Sequence, residues 1–272
     1  MATEKRARKK AARDAALAAR EAEMRRRRWA RLGAVGLVVA LVVGLALFSG
    51  DDPGDGNGDR DDSEPAAAAT SPASGEVACG GEEPPAADPQ QYPKPEEVTE
   101  DGVDYGAVIQ TSCGEIEMDL LEEKAPETVN NFVFLAQEGY YDGLIWHRVE
   151  PDSVIQTGDP DGVNGQEPDG PGYTIPDEFP KEAAEYVYGV VGLANAGPGT
   201  GGSQFFIVVH DPEGGEPAGF QPLYSIFGEV AESSYPTLEE ISKQETFGGN
   251  DPAQATVPVN PIYIESIEIT ES

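Results

Sequence analysis

The chain has 272 residues, with 50 Asp and Glu against 18 Lys and Arg, and a formal net charge of −32 at pH 7. The first 31 residues have a net charge of +8 and the other 241 a net charge of −40, so the two parts belong in different surroundings. The 241 residues that carry the negative charge repel other polyanions, which excludes nucleic acid as their partner.

Residues 32–50 are predicted to form a transmembrane helix. Positions 32–48 have no charged or strongly polar side chain, and a helix of that length, about 26 Å, is near the lower limit for a bilayer. Trp29 is suited to the interface. A cleaved secretory signal is the alternative, but residues 1–31 are long for one and no small-x-small site follows.

The basic residues 1–31 are predicted to stay in the cytoplasm, because positive charge beside a membrane span sets its topology and meets anionic lipid. The sequence therefore predicts a single-pass protein of the cell membrane. Its lipid contact is made by residues 32–50, and everything after residue 50 lies outside the cytoplasm.

Residues 51–100 are predicted to be a disordered acidic linker whose last part, the Pro-spaced residues 92–97, lies extended against the domain that follows. They contain 14 acidic residues and eight prolines, and such a segment cannot bury enough apolar surface to offset its ordering entropy. Cys79 lies in this linker and Cys113 in the domain that follows it. In an oxidising compartment two cysteines favour a disulfide, and with no CxxC or histidine cluster no metal site is predicted.

Residues 101–272 are predicted to be one folded domain that begins with a β-hairpin. In residues 105–120, Ile116, Met118 and Leu120 alternate with acidic residues, which is typical of a half-buried strand. Gly114 supplies the turn. A helix is then expected from Pro126, which suits a first turn, to about Gly139.

Short strands follow, separated by Gly and Pro. They are predicted around residues 144–149, 154–156, 189–195, 204–209 and 224–230. A second helix is expected near residue 236, with Thr237 and Glu240 as a capping box. The last strand, residues 262–269, breaks its alternation at Glu265 and Ser266, which indicates a bulge. Many strands with two helices favour a barrel or sandwich over βαβ units.

Arg148 is the only arginine in residues 101–272, a stretch with 32 acidic side chains and four basic ones. It can be a structural ion-pair partner or a cation with a functional task. No GxSxG, HExxH, Walker loop or strand-linked GxGxxG motif is present, so the usual signatures of nucleophilic, metal or nucleotide chemistry are missing.

Two stretches resemble the signatures of the cyclophilin family of peptidyl-prolyl isomerases. They are LIWHRVEPDSVIQTGDP (residues 144–160) and GLANAGPGTGGSQFFIV (residues 192–208), and the resemblance extends over about residues 104–271. It implies a mainly β fold: a closed eight-stranded antiparallel barrel capped by two α-helices. It also implies a groove on one outer face and no cofactor.

The resemblance also implies the site residues. Arg148 matches the catalytic arginine, His147 precedes it, and Gln156 supports it. The implied substrate-binding residues are Trp146, Val154, Ala194, Asn195, Gln204, Phe206, Phe220 and Tyr224. Ser153 stands where the family has a pocket Phe, so the proline pocket is expected to be shallow or filled by Trp146. His147 is expected to pack and orient, because the reaction transfers no proton.

The chemistry suits these residue types. Rotation about a peptide bond has a barrier of ~18–20 kcal/mol, because resonance gives C–N partial double-bond character. A guanidinium that donates a hydrogen bond to the twisted amide nitrogen favours that state over both planar ones. The expected substrates are proline-containing exported polypeptides. Two alternatives remain: a non-catalytic proline-binding or scaffold module, favoured by Ser153, and a structural adhesion domain, which would not need the polar groove residues.

Overall fold

The structure, a computed structural model, describes residues 76–100, 102–162, 170–182, 185–211, 217–249 and 254–271. The predicted cytoplasmic segment, the predicted transmembrane helix at 32–50 and the first half of the predicted linker lie outside these ranges. Among the described residues, none of the helices has both the length and the apolar character that a membrane crossing requires.

The described residues form a mainly β fold with two α-helices. The strands are β1 (Tyr105–Thr111), β2 (Gly114–Leu120), β3 (Arg148–Glu150), β4 (Val154–Thr157), β5 (Val190–Leu193), β6 (Phe205–Val208), β7 (Ile226–Val230) and β8 (Ile264–Glu271). The helices are α1 (Pro126–Gln137) and α2 (Tyr235–Ser242). The predicted hairpin and the helix start at Pro126 are confirmed.

The eight strands form one antiparallel sheet, in the order β3-β4-β6-β5-β7-β2-β1-β8, that curls into a half-barrel. In the described residues, β3 and β8 at its two ends form no ladder with each other, so strand pairing does not produce the full closure that was predicted. The segments beside them meet instead. Ile145 bridges to Tyr263, and the Trp146 N–H donates to the Ile262 carbonyl at 2.8 Å.

The two faces of the sheet bury different side chains. Ile155 of β4 faces the main core between the sheet and the helices, together with Phe205 and Ile207. Val154, the preceding residue, joins a second apolar cluster with Phe206 and Val208. Because successive side chains of a strand point to opposite faces, this second cluster lies on the outer face of the sheet.

Two local predictions have opposite outcomes. The bulge in the last strand is confirmed, because Gln110 pairs with Ser266 while Thr111 pairs with Ile264, which leaves Glu265 as the extra residue. The capping box of α2 is wrong. The helix begins at Tyr235, its N-cap is Ser234, and no side chain caps it. The Ser234 hydroxyl instead accepts a hydrogen bond from the Glu117 N–H at 2.9 Å.

Residues 76–100, here called the N-terminal strap, lie against the domain, although only residues 92–97 of the predicted linker were expected to do so. The Asn130 side chain of α1 accepts from the Val98 N–H at 2.8 Å and donates to the Glu96 carbonyl at 2.9 Å. The Tyr92 ring packs edge-on against Phe134 of α1 with centroids 5.0 Å apart. The strap is poor in apolar residues, and a few anchors plus backbone hydrogen bonds hold it.

Candidate active site

A row of polar side chains crosses the outer face where β3, β4 and β6 are neighbours. Arg148 and Gln156 are paired across β3 and β4, so both point outward. Arg148 Nη1 donates to Gln156 Oε1 at 3.1 Å, and Gln156 Nε2 donates to Gln204 Oε1 at 2.8 Å. Gln204 Nε2 donates to Asp159 Oδ2 at 3.0 Å. These four residues form a continuous chain, here called the polar row.

The second amino group of Arg148 is also held. Its Nη2 lies 2.8 Å from Glu150 Oε2, and the Arg148 side chain remains 30% exposed. The same Glu150 oxygen accepts a hydrogen bond from the Ser153 hydroxyl at 3.2 Å. The guanidinium is therefore fixed on two sides and still open to solvent, as a group that meets a substrate must be.

An aromatic patch adjoins the polar row. Phe206 pairs with Gln156 across β4 and β6, and its ring contacts those of Phe220 and Tyr224, with centroid distances of 6.0 and 5.3 Å. Gly192 lies opposite the Phe206 ring, where an added Cβ would come within 2.5 Å of it. The absent side chain leaves room for the ring to lie against the strand.

The groove continues beyond this patch. Asn195 Nδ2 donates to the Leu223 carbonyl at 2.8 Å, and Asn195 Oδ1 accepts from the Gly197 N–H at 3.1 Å, which fixes the amide of that side chain. The Ala194 N–H donates to the Gln204 carbonyl at 2.9 Å. An open pocket of about 360 Å³ is lined by Phe179, Asn195, Ala196, Gly197, Pro198, Leu223 and Tyr224.

Comparison with known proteins decides the family. Residues 107–269 match the model of the family described as cyclophilin type peptidyl-prolyl cis-trans isomerase/CLD. The chain belongs to the cyclophilin family. It is accordingly a cyclophilin-type peptidyl-prolyl cis-trans isomerase.

Relatives and solved structures agree with this assignment. The cyclophilin is 39% identical over 180 residues to peptidyl-prolyl cis-trans isomerase A of Mycobacterium tuberculosis, a match that covers 60% of this chain and 91% of that protein. Isomerase ppi1 of Schizosaccharomyces pombe is 48% identical over 101 residues, 37% of this chain and 65% of that protein. A crystal structure of a Cryptosporidium parvum cyclophilin is similar with a TM-score of 0.51 and 28% identity, covering 62% of this chain and 99% of that one.

Two predicted site residues of the cyclophilin lie inside the domain and not in the groove. Trp146 is fully buried in the main core, where its ring meets Phe205 edge-on at 5.9 Å. Of the two alternatives for the proline pocket, filling by Trp146 is therefore wrong, and a shallow pocket stays a prediction. His147 is also fully buried. Burial first, and then the charge of Arg148, lower the pKa of His147 to about 3. His147 is thus neutral at ordinary pH and has no access to a substrate.

The structure brings the other predicted residues of the cyclophilin together on the outer face, and it adds two that the sequence did not predict. Asp159 ends the polar row and is only 1% exposed; Glu150 pairs with Arg148. Among 50 acidic residues, neither stands out by type. The available signal was position, because Glu150 follows Arg148 by two residues and Asp159 follows Gln156 by three.

Proposed function

We propose that this cyclophilin accelerates cis/trans isomerisation of X–Pro bonds by non-covalent catalysis, with Arg148 as the catalytic residue. The observation that carries the proposal is a guanidinium held by Gln156 beside an aromatic patch. The proline ring of the substrate packs on Phe206, Phe220 and Tyr224. A related crystal structure, 28% identical with a TM-score of 0.51, was obtained in the presence of the dipeptide Ala-Pro, which supports a proline-containing substrate.

The mechanism needs no nucleophile. As the X–Pro amide twists, its nitrogen loses resonance and recovers a lone pair that can accept a hydrogen bond. A donor placed there binds the twisted state more tightly than either planar state, which lowers the barrier. Arginine suits the task because it stays protonated and its planar group holds donors in fixed directions, whereas lysine is a mobile point charge.

Replacing Arg148 tests the catalytic proposal. Arg148→Ala should lower kcat/KM for a proline peptide about 100-fold, in line with the ~2.7–4 kcal/mol lost when one transition-state donor is removed. Arg148→Lys should recover little of this. Lys243→Ala is the matched control, because it removes one exposed positive charge at the C-terminal cap of α2 and should leave kcat/KM unchanged. Equal activity of native protein and a folded Arg148→Ala variant would contradict the proposal.

A non-catalytic proline-binding module is the second candidate. Two observations favour it: Ser153 stands where the family has an aromatic residue, and Glu150 engages one amino group of Arg148. Such a module would bind proline peptides with measurable affinity and leave their isomerisation rate at the uncatalysed value, so the same assay separates the two functions.

We further propose that the clients are exported proteins folding outside the cytoplasm. The basic residues 1–31, the apolar stretch at 32–48 and the Cys79–Cys113 disulfide support this, because disulfides persist in oxidising compartments. Protease added to intact cells should release the acidic domain and spare residues 1–31. A domain that is cut only after the cells are lysed would reverse the orientation.

A further inference from the structure

We propose that Asp159 is a positioning residue that sets the direction of every hydrogen bond in the polar row and so keeps an acceptor facing Arg148. The proposal rests on the catalytic role proposed for Arg148, and it goes further by assigning a task to a side chain that cannot reach the substrate. Asp159 lies just after β4 and is 1% exposed, so its carboxylate acts on the protein interior.

The surroundings of Asp159 require an acceptor. Its Oδ1 accepts from the Asp161 N–H at 3.0 Å and its Oδ2 accepts from Gln204 Nε2 at 3.0 Å. A carboxylate that is ionised can only accept, and both of these neighbours are donors. In these two contacts one oxygen of Asp159 accepts from the backbone and the other accepts from Gln204.

The two glutamines pass the orientation that Asp159 imposes from Gln204 to Gln156 and then to Arg148. An amide has one donor end and one acceptor end of nearly the same shape, so with Gln204 Nε2 toward Asp159 its Oε1 must face Gln156. That oxygen takes Gln156 Nε2 at 2.8 Å, which leaves Gln156 Oε1 to accept from Arg148 at 3.1 Å. If both amides turned over, Gln156 would present a donor to a guanidinium that can only donate.

The ends of the row are therefore complementary: a cation that only donates and a buried group that only accepts. Hydrogen bonds polarise one another along such a chain, and an unpaired member in a poorly solvated place is costly. Loss of the acceptor end lets Gln204 and Gln156 adopt more than one orientation. Displacements of about 1 Å from a productive geometry can cost on the order of 10²-fold in rate, so the effect falls on turnover.

The first test compares Asp159→Asn with Asp161→Asn. Both remove one negative charge, but the Asp161 side chain is exposed and outside the row. Asp159→Asn, which puts a donor in place of one carboxylate oxygen, should lower kcat about 10-fold with KM within 2-fold, whereas Asp161→Asn should leave both unchanged. Native kcat in a folded Asp159→Asn variant, or an equal loss in Asp161→Asn, would overturn the proposal.

The second test exchanges donor and acceptor. The single variant Gln204→Glu places the carboxylate of residue 204 beside that of Asp159. The two negative groups repel each other, so this variant should be poorly active. Combined with Asp159→Asn, the new carboxylate can accept from the Asn amide and from Gln156 Nε2, so Gln156 still turns its oxygen to Arg148. The double variant should exceed both single variants in kcat by several-fold. A double variant no better than the worse single one would refute the directional role, even if Asp159→Asn alone does not fold.

The outcomes also separate this inference from the proposed function. If Arg148→Ala abolishes activity while Asp159→Asn does not change it, only the positioning role fails. If Arg148→Ala leaves activity intact, the catalytic proposal fails and the role of Asp159 fails with it. The side-chain amide NMR signals of Gln156 and Gln204 give a readout that global stability does not move. They should shift in Asp159→Asn and stay in place in Asp161→Asn.

Discussion

His147 is inside the domain, next to Arg148 in sequence, and its folded-state pKa is lowered to about 3 from an ordinary value of 6.5. The unfolded chain therefore binds a proton near pH 6.5, whereas the folded chain does so only near pH 3. The contribution of the neutral imidazole to the free energy of unfolding is therefore fully present above pH 6.5. This contribution decreases as the pH falls from 6.5 toward 3.

A non-titrating variant isolates this effect. Between pH 7 and pH 5 the native domain should lose about 2 kcal/mol more unfolding free energy than His147→Gln, since each pH unit below the unfolded-state pKa costs about 1.4 kcal/mol. Urea unfolding of both proteins at the two pH values measures the difference. The carboxylates titrate alike in the two proteins and cancel. The same pH dependence in both would show that His147 is not the group responsible.

At the scale of single residues, the sequence predicted which side chains form the site better than it predicted whether a given side chain faces the groove or the core. The signature stretches placed Arg148, Gln156 and Gln204 in one site, and the structure brings them together. They did not place Trp146 correctly, because β3 begins only at Arg148 and the alternation of strand faces gives no guidance before it. Asp159 was missed because its importance comes from its burial and from contacts that include Gln204 and the Asp161 N–H.

Among the elements, α1 shows what local sequence leaves out. Its N-cap residue, Ala125, has no capping side chain. Glu178, about 50 positions away in sequence, accepts from the Glu127 and Thr128 N–H groups at 3.1 and 2.8 Å, which satisfies free donors and places a negative charge at the positive end of the helix. The sequence predicted the start of this helix at Pro126, whereas its cap depends on the tertiary fold.

The N-terminal strap explains why α1 is buried on both sides. Nine of its twelve residues are buried, including Asn130 and Phe134, which contact the strap. The strap is tied to the first hairpin by the Cys79–Cys113 disulfide, with Cα atoms 5.1 Å apart. Its low apolar content placed it in the predicted linker, whereas its two cysteine-based and proline-based signals, the predicted Cys79–Cys113 disulfide and the extended segment at residues 92–97, already indicated attachment to the domain.

Removing that cross-link should weaken the domain. The two cysteines are 34 positions apart, and closing a loop of that size in the unfolded chain is worth roughly 3–4 kcal/mol in the chain-entropy model. Replacing both with Ser should lower the unfolding free energy by about that amount, and adding a reductant to the native protein should do the same. Unchanged denaturant midpoints, or two free thiols by non-reducing mass spectrometry of protein taken from cells, would contradict this.

At the scale of the whole molecule, charge is the dominant feature. Residues 101–272 have 32 acidic and four Lys or Arg side chains, a net charge of −28. The ion pairs of Lys and Arg within the described residues are Lys124–Glu185, Arg148–Glu150 and Lys243–Glu239. With so few cations, most carboxylates have only other carboxylates as charged neighbours, and self-repulsion opposes the compact state.

Salt should therefore stabilise this domain. The screening length falls from ~10 Å at 0.1 M to ~3 Å at 1 M, shorter than typical spacings between surface charges, so the repulsion should fade as salt rises. We expect the melting temperature to increase from 0.05 to 2 M potassium chloride, as suits a protein that faces a saline or alkaline medium. Chloride is the right salt because sulfate strengthens apolar burial in almost any protein, and a cyclophilin of near-zero net charge is the control. A melting temperature that stays flat or falls would favour simple compositional bias as the origin of the acidity and would leave the isomerase assignment unaffected.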